Sequence, residues 1–185
     1  GITLASGPVC SIINDHFSEF LVGKDPMSTE KIWDMMRRAS SPYGTSGIQS
    51  YAISAVDNAV WDLKGKLLQR PVYEILGGPV KDKIFCYASN TMLKYKTSDY
   101  MDWFLELGFK AVKVFLRHGP EEGISGLNKN VEIVAATRSQ IGPDVELAVD
   151  SWMSLNIEYA VRISEALKPY NIKWLEDYFL PEDMD

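Results

Sequence analysis

The sequence predicts an α/β protein: a helical region of about 80 residues, then a parallel β-sheet whose strands are joined by helices. Three observations predict it. Apolar residues recur at helical spacing as far as Leu67. Four short β-forming runs follow from Lys83 onward, and amphipathic stretches of helical period separate those runs.

The helical region reads in order as follows. Pro8 suits the first turn of a helix, Ile13, Phe17 and Leu21 recur at intervals of four, and Gly23 supplies a stop. After Asp25-Pro26, Ser28 is placed to cap a second helix with Ile32, Met35, Met36 and Ala39 on one side. Ser41-Pro42-Tyr43-Gly44 breaks the pattern. A longer third helix carries Ala52, Ala55, Val56, Ala59, Val60, Leu63 and Leu67 in a broad apolar stripe, and Gly77-Gly78-Pro79 closes the region.

The expected strands are Lys83–Ser89, Ala111–Phe115, Val145–Val149 and Ile172–Leu175, separated by helices near Ser98–Leu107, Asn128–Gln140 and Ile157–Leu167. Gly108 and Gly142 stand where helix C-caps belong. Such alternation implies right-handed crossovers. A closed eight-stranded barrel takes about 250 residues, so four strands are compatible with an open sheet or with half of a larger structure.

Composition narrows the function classes. A net charge of −6 argues against a nucleic-acid surface. No window approaches the ~20 apolar residues of a membrane helix, and the first residues do not read as a signal peptide. Cys10 and Cys86 are too few for a disulfide framework and read as reduced thiols of a cytoplasmic protein.

Polar residues at the strand ends carry the chemical signal. Lys113 lies within the second strand, Asp150 follows the third and Glu176 follows the fourth. In parallel α/β folds the C-terminal strand ends form the active face. Two carboxylates on neighbouring strand ends can converge on one hard cation, and oxygen ligands favour magnesium. The plainer alternative is a helix cap at Asp150 and a surface ion pair at Glu176.

Several ordered segments resemble the enolase superfamily, mandelate racemase subgroup, over almost the whole chain. They are Ile53-Ser-Ala-Val-Asp-Asn-Ala-Val-Trp-Asp-Leu-Lys-Gly-Lys66, Pro71-Val-Tyr-Glu-Ile-Leu-Gly-Gly78, Lys113-Val-Phe-Leu-Arg-His-Gly-Pro120, Glu146-Leu-Ala-Val-Asp-Ser-Trp-Met153 and Tyr170-Asn-Ile-Lys-Trp-Leu-Glu176. In wording they are most similar to the rhamnonate dehydratase-like sugar-acid dehydratases of that subgroup. The resemblance implies a partial TIM-type (β/α) barrel, about four of eight strands, over residues 81–185, preceded by the helical part of a capping domain over residues 1–80.

The resemblance further implies a Mg2+ site in which Asp150 and Glu176 match the first two of three carboxylates; the third, on a following strand, has no counterpart here. Lys113 matches the first lysine of a Lys-x-Lys motif and is the candidate catalytic residue, while Phe115 replaces the second lysine. That departure argues against two-base racemisation and fits one-sided dehydration, with a histidine base and its aspartate partner on later strands. Arg117 and His118 are candidate substrate contacts after the second strand, and Tyr43 and Thr45 are candidates in a capping loop. Asp57, Asp62 and His16 are expected to be structural.

The activity implied is magnesium-dependent dehydration of an aldonate such as rhamnonate or arabinonate to a 2-keto-3-deoxy acid through an enediolate. The alternatives are an epimerase or racemase of the same superfamily and a non-catalytic incomplete fragment. The expected partner is a small sugar acid, with no nucleic acid and no membrane. The open edge of an incomplete barrel also leads us to expect a homo-oligomer.

Overall fold

A computed structural model of the chain describes residues 6–44, 46–89 and 97–183. It divides into two compact units, Gly1–Asp82 and Lys83–Asp185.

The first unit is helical. Helix α1 (Ser6–Ser11) runs through a π-helical stretch, Ile12–Phe17, into a last turn, α2 (Ser18–Leu21). The sequence stripe suggested one regular α-helix; the structure inserts the wider π turns, and Phe17 is fully buried. Helix α3 (Thr29–Ser40) begins where expected, but the Ser28 side chain makes no capping bond. Asp25 shapes the entry instead: its carboxylate accepts from the Met27 N–H at 2.9 Å. Helix α4 (Ile48–Leu68) packs on α3 and α1, and Val9, Phe17, Ile32, Met36, Ala52 and Ile53 form the core.

Only the first half of the expected α4 stripe is covered, for Leu63 and Leu67 are exposed. At about 1.5 Å per residue, the 21-residue α4 outruns the 12-residue α3. The chain then turns at Gln69, in the left-handed region, into the short helix α5 (Val72–Ile75). Gly65 permits this turn, since a Cβ there would lie 2.9 Å from the Arg70 carbonyl oxygen. Asp62 pairs with Lys66, as a structural acid should. Asp57 has no ion-pair partner among the described residues, and burial, then nearby Glu30, pushes its carboxyl above the usual range.

The second unit holds a four-stranded parallel sheet in the order β1-β2-β3-β4, not closed: β1 (Ala88–Ser89), β2 (Ala111–Phe115), β3 (Glu146–Asp150) and β4 (Ile172–Glu176). Helices α6 (Thr97–Glu106), α7 (Gly123–Ile141) and α8 (Ile157–Leu167) make the connections. Val112, Val114, Leu147, Val149, Ile163 and Leu167 lie in a core between sheet and helices. The first strand is shorter than the run from Lys83 suggested. Gly108 and Gly142 take positive φ at the ends of α6 and α7, as helix-terminating glycines do. Among the described residues no helix is long and apolar enough to cross a membrane, and both cysteines are free and exposed.

Helix α7 starts at Gly123, five residues before the expected Asn128, because glycine at 123 and 126 disguises its first turn. Gly126 is needed there. A Cβ at that position would meet the Glu122 Cβ at 2.6 Å and the His118 Cβ at 3.2 Å. The loop after β2 can therefore lie directly on α7.

Two polar side chains, half-buried Arg138 and buried Asn130, fasten these elements. Arg138 on α7 donates to the carbonyls of Tyr170, Gly142, Val145 and Asn171, tying the N-terminal ends of β3 and β4 to the helix. Asn130, with no exposed surface, satisfies all its hydrogen-bonding capacity. Its Oδ1 accepts from the Arg117 and His118 N–H groups, and its Nδ2 donates to the His118 carbonyl and the Tyr159 hydroxyl. Asn130→Ala should lower unfolding free energy by about 2–4 kcal/mol in urea titration, because several buried groups lose their partner at once.

Candidate metal centre

Strands β2, β3 and β4 present one face on which three charged side chains meet. In the ladder Phe115 stands opposite Asp150, and Asp150 opposite Glu176. Both carboxylates are the last residues of their strands, one position earlier in structural terms than the sequence suggested. A bulge decides the second pairing. Leu147 pairs with Ile172, but Val149 pairs with Leu175, so β4 carries one extra residue in between. Without it Leu175 would face Asp150; with it Glu176 does. Bulges beside active sites commonly re-aim a side chain in this way.

Lys113 lies two residues before Phe115 and so shares its face. Its Nζ is 2.9 Å from Asp150 Oδ2 and 2.5 Å from Glu176 Oε1. Side-chain exposure is 7% for Lys113, 5% for Asp150 and 30% for Glu176, so the cluster opens to solvent on the Glu176 side. The remaining carboxylate oxygens are held separately. The Trp152 backbone N–H donates to Asp150 Oδ1 at 2.9 Å, and the Trp174 indole N–H donates to Glu176 Oε2 at 2.8 Å.

The chain turns sharply past both carboxylates. Trp152, Met153 and Asp177 all have φ between 49° and 58°, a region that bulky L-residues rarely adopt. Such strain gathers at functional sites when the surroundings enforce it. Here Ser151 enforces it: its N–H donates to the Glu176 carbonyl, and its hydroxyl lies 3.1 Å and 2.9 Å from the Glu176 and Asp177 carbonyl oxygens. The Met153 N–H then donates to the Asp177 carbonyl.

The electrostatics follow from this packing. Burial opposes the charge on Lys113, but its bonds to Glu176 and Asp150 outweigh that cost and hold the ammonium well above its ordinary pKa. Burial likewise opposes the Glu176 carboxylate, and donation from Lys113 and Trp174 brings its pKa below the ordinary value. The rings of Tyr87 and Phe115 lie 5.4 and 5.6 Å from Lys113 Nζ. Two carboxylates against one ammonium leave a local charge of −1 (−2 + 1). Among the described residues no set of three His, Cys, Asp or Glu side chains converges on one point.

Arg117 and His118 follow β2 on the same end of the sheet, with their backbone fixed by Asn130. The His118 ring turns to α7, its Nδ1 2.8 Å from Glu122 Oε1. That bond, with help from Lys129, lowers the Glu122 pKa. Tyr43 belongs to the first unit, where it is exposed and meets the His16 ring edge-on at 6.0 Å. Thr45 lies outside the described residues.

Family comparison agrees with this architecture. Residues 4–77 match the family described as mandelate racemase / muconate lactonizing enzyme, N-terminal domain, and residues 98–185 match the family described as enolase C-terminal domain-like. The chain belongs to the mandelate racemase and muconate lactonizing enzyme group of the enolase superfamily. It is 44% identical over 183 residues to L-rhamnonate dehydratase of Saccharopolyspora erythraea, covering 99% of this chain and 45% of that protein. It thus spans about half the length of the curated relatives it matches. A crystal structure of rhamnonate dehydratase from Gibberella zeae complexed with Mg superposes with a TM-score of 0.82 at 37% identity, over 95% of this chain and 41% of that one. A racemase from Streptomyces coelicolor A3(2) with bound magnesium gives a TM-score of 0.82 at 32% identity, over 95% and 48%.

Three residues of this enolase-superfamily chain escaped the sequence reading: Trp174, Ser151 and Asn130. Trp174 could have been found, because it stands two residues before Glu176 and strand alternation puts the pair on one face. Ser151 and Asn130 act through bonds to distant backbone, which no local pattern announces.

Proposed function

We propose that this protein dehydrates a sugar acid, an aldonate of the rhamnonate or arabinonate type, to the 2-keto-3-deoxy acid, with Mg2+ as cofactor. The observation that carries the proposal is the convergence of the Asp150 and Glu176 carboxylates on the Lys113 ammonium at adjacent strand ends. The residues fit magnesium. Both donors are hard carboxylate oxygens, each is oriented by a separate N–H, and the cluster keeps a charge of −1 that favours a further cation.

Asp150 and Glu176 would hold the ion, which when bound supplies Lewis-acid stabilisation to charge growing on the substrate carboxylate. Lys113 directs two of its three donors at the carboxylates, leaving one for a substrate oxygen, and its charge would stabilise an enediolate formed beside it. Phe115 has no proton to transfer, and its ring meets Trp152 at 6.1 Å, so this side of the site would orient substrate without taking part in proton transfer. In the reaction the α C–H and β C–O bonds break, water leaves, and the enol tautomerises to the ketone. Arg117 and His118 are proposed to meet the polar end of the substrate.

The similarity to L-rhamnonate dehydratases supports the dehydratase reading, and Phe115 favours it over two-base racemisation. We place the protein in the cytoplasm, consistent with its free cysteines. An aldonic-acid panel incubated with MgCl2 tests the function. The expected product is a 2-keto-3-deoxy acid, whereas solvent-deuterium exchange at the α-carbon without elimination would overturn dehydration in favour of epimerisation.

A further inference from the structure

We infer that Trp174 is a positioning residue: its indole N–H fixes one oxygen of Glu176 so that the other is presented to the cation. The inference rests on the metal reading of Glu176 given above. Three observations carry it. The Nε1–Oε2 distance is 2.8 Å, while Lys113 occupies Oε1, so the two oxygens have separate tasks. Asp150 shows the same division, with Oδ1 held by the Trp152 N–H and Oδ2 on Lys113. The indole is itself fixed, its ring meeting Tyr87 edge-on at 5.4 Å and 75°.

Glu176 needs such a restraint more than Asp150 does. It has one more rotatable bond, and it is 30% exposed where Asp150 is 5% exposed. Holding it in one rotamer before the ion arrives removes ordering entropy from the binding step. The β4 bulge brings Glu176 opposite Asp150, and Trp174 then sets where its carboxylate points. A tryptophan that merely filled space would need its ring and not its N–H.

Magnesium titration calorimetry separates these roles in the unaltered protein, Trp174→Phe, Trp174→Leu and Glu176→Gln, with thermal unfolding measured on each in the absence of metal. Trp174→Phe keeps a ring against Tyr87 and removes the donor. It should weaken magnesium binding about 10- to 100-fold, the usual cost of losing an outer-shell partner, with a nearly unchanged melting temperature. Trp174→Leu should melt lower but bind magnesium no worse than the Phe variant. If Trp174→Phe binds magnesium as the unaltered protein does while Glu176→Gln does not, the inference about Trp174 is overturned and the metal reading stands. If the unaltered protein and Glu176→Gln behave alike, the metal reading fails and takes this inference with it.

Discussion

Asp150→Asn and Glu176→Gln are each expected to reduce turnover of the preferred aldonate more than about 100-fold at saturating magnesium, beyond the ~10- to 100-fold scale of outer-shell losses. Each change keeps the shape of the side chain and removes a negative oxygen. Stability should fall by no more than about 1–3 kcal/mol, the cost of one hydrogen bond to a charged group. Either amide leaves Lys113 paired with one remaining carboxylate, so the cluster passes from −1 to neutral and no buried charge is stranded. The Trp152 or Trp174 N–H donor can still bond to the amide oxygen, and the one hydrogen bond lost is that from Lys113 to the substituted side chain. Loss of turnover with an intact melting transition therefore reports on chemistry. A larger fall in stability alongside the loss of turnover would mean that the carboxylates serve only the fold.

Lys113→Met should do the reverse to the fold. Removing the ammonium leaves Asp150 and Glu176 facing each other without compensation, and breaking a buried ion cluster from one side typically costs about 3–5 kcal/mol. Magnesium should restore part of this loss, because a ligand bound only to the native state at 100 times its dissociation constant adds about 2.7 kcal/mol. The variant should gain more from magnesium in urea titration than the unaltered protein does. Turnover should remain low even when the fold is rescued, since the fixed charge beside the substrate is gone. A metal-independent loss of stability would assign Lys113 a structural task alone.

Much of this arrangement was legible in the sequence because it depends on local pattern. Short apolar runs separated by helical periods give the parallel sheet, and the acidic residues that end the third and fourth runs mark its active end. Asp150 and Glu176 could be named in that way. Their mutual register could not, because it depends on a β4 bulge that alternation alone does not reveal. Helix α7 was read five residues short because Gly123 and Gly126 are poor helix formers, retained where the loop after β2 presses on the helix. Leu63 and Leu67 looked like core by spacing, yet burial requires an opposing surface and α3 is too short to supply one. His118 was legible as a candidate by chemistry and position, but the contact of its ring with Glu122 was not. Side-chain direction after a strand depends on tertiary contacts that spacing does not encode.

The central claim, that Asp150 and Glu176 together hold one divalent cation, is tested most directly by manganese titration followed by electron paramagnetic resonance. The account predicts that the unaltered protein depletes the free Mn2+ signal, that magnesium restores it by competition, and that Asp150→Asn/Glu176→Gln leaves the free signal undiminished. Depletion of the Mn2+ signal by that double variant, equal to depletion by the unaltered protein, would contradict it.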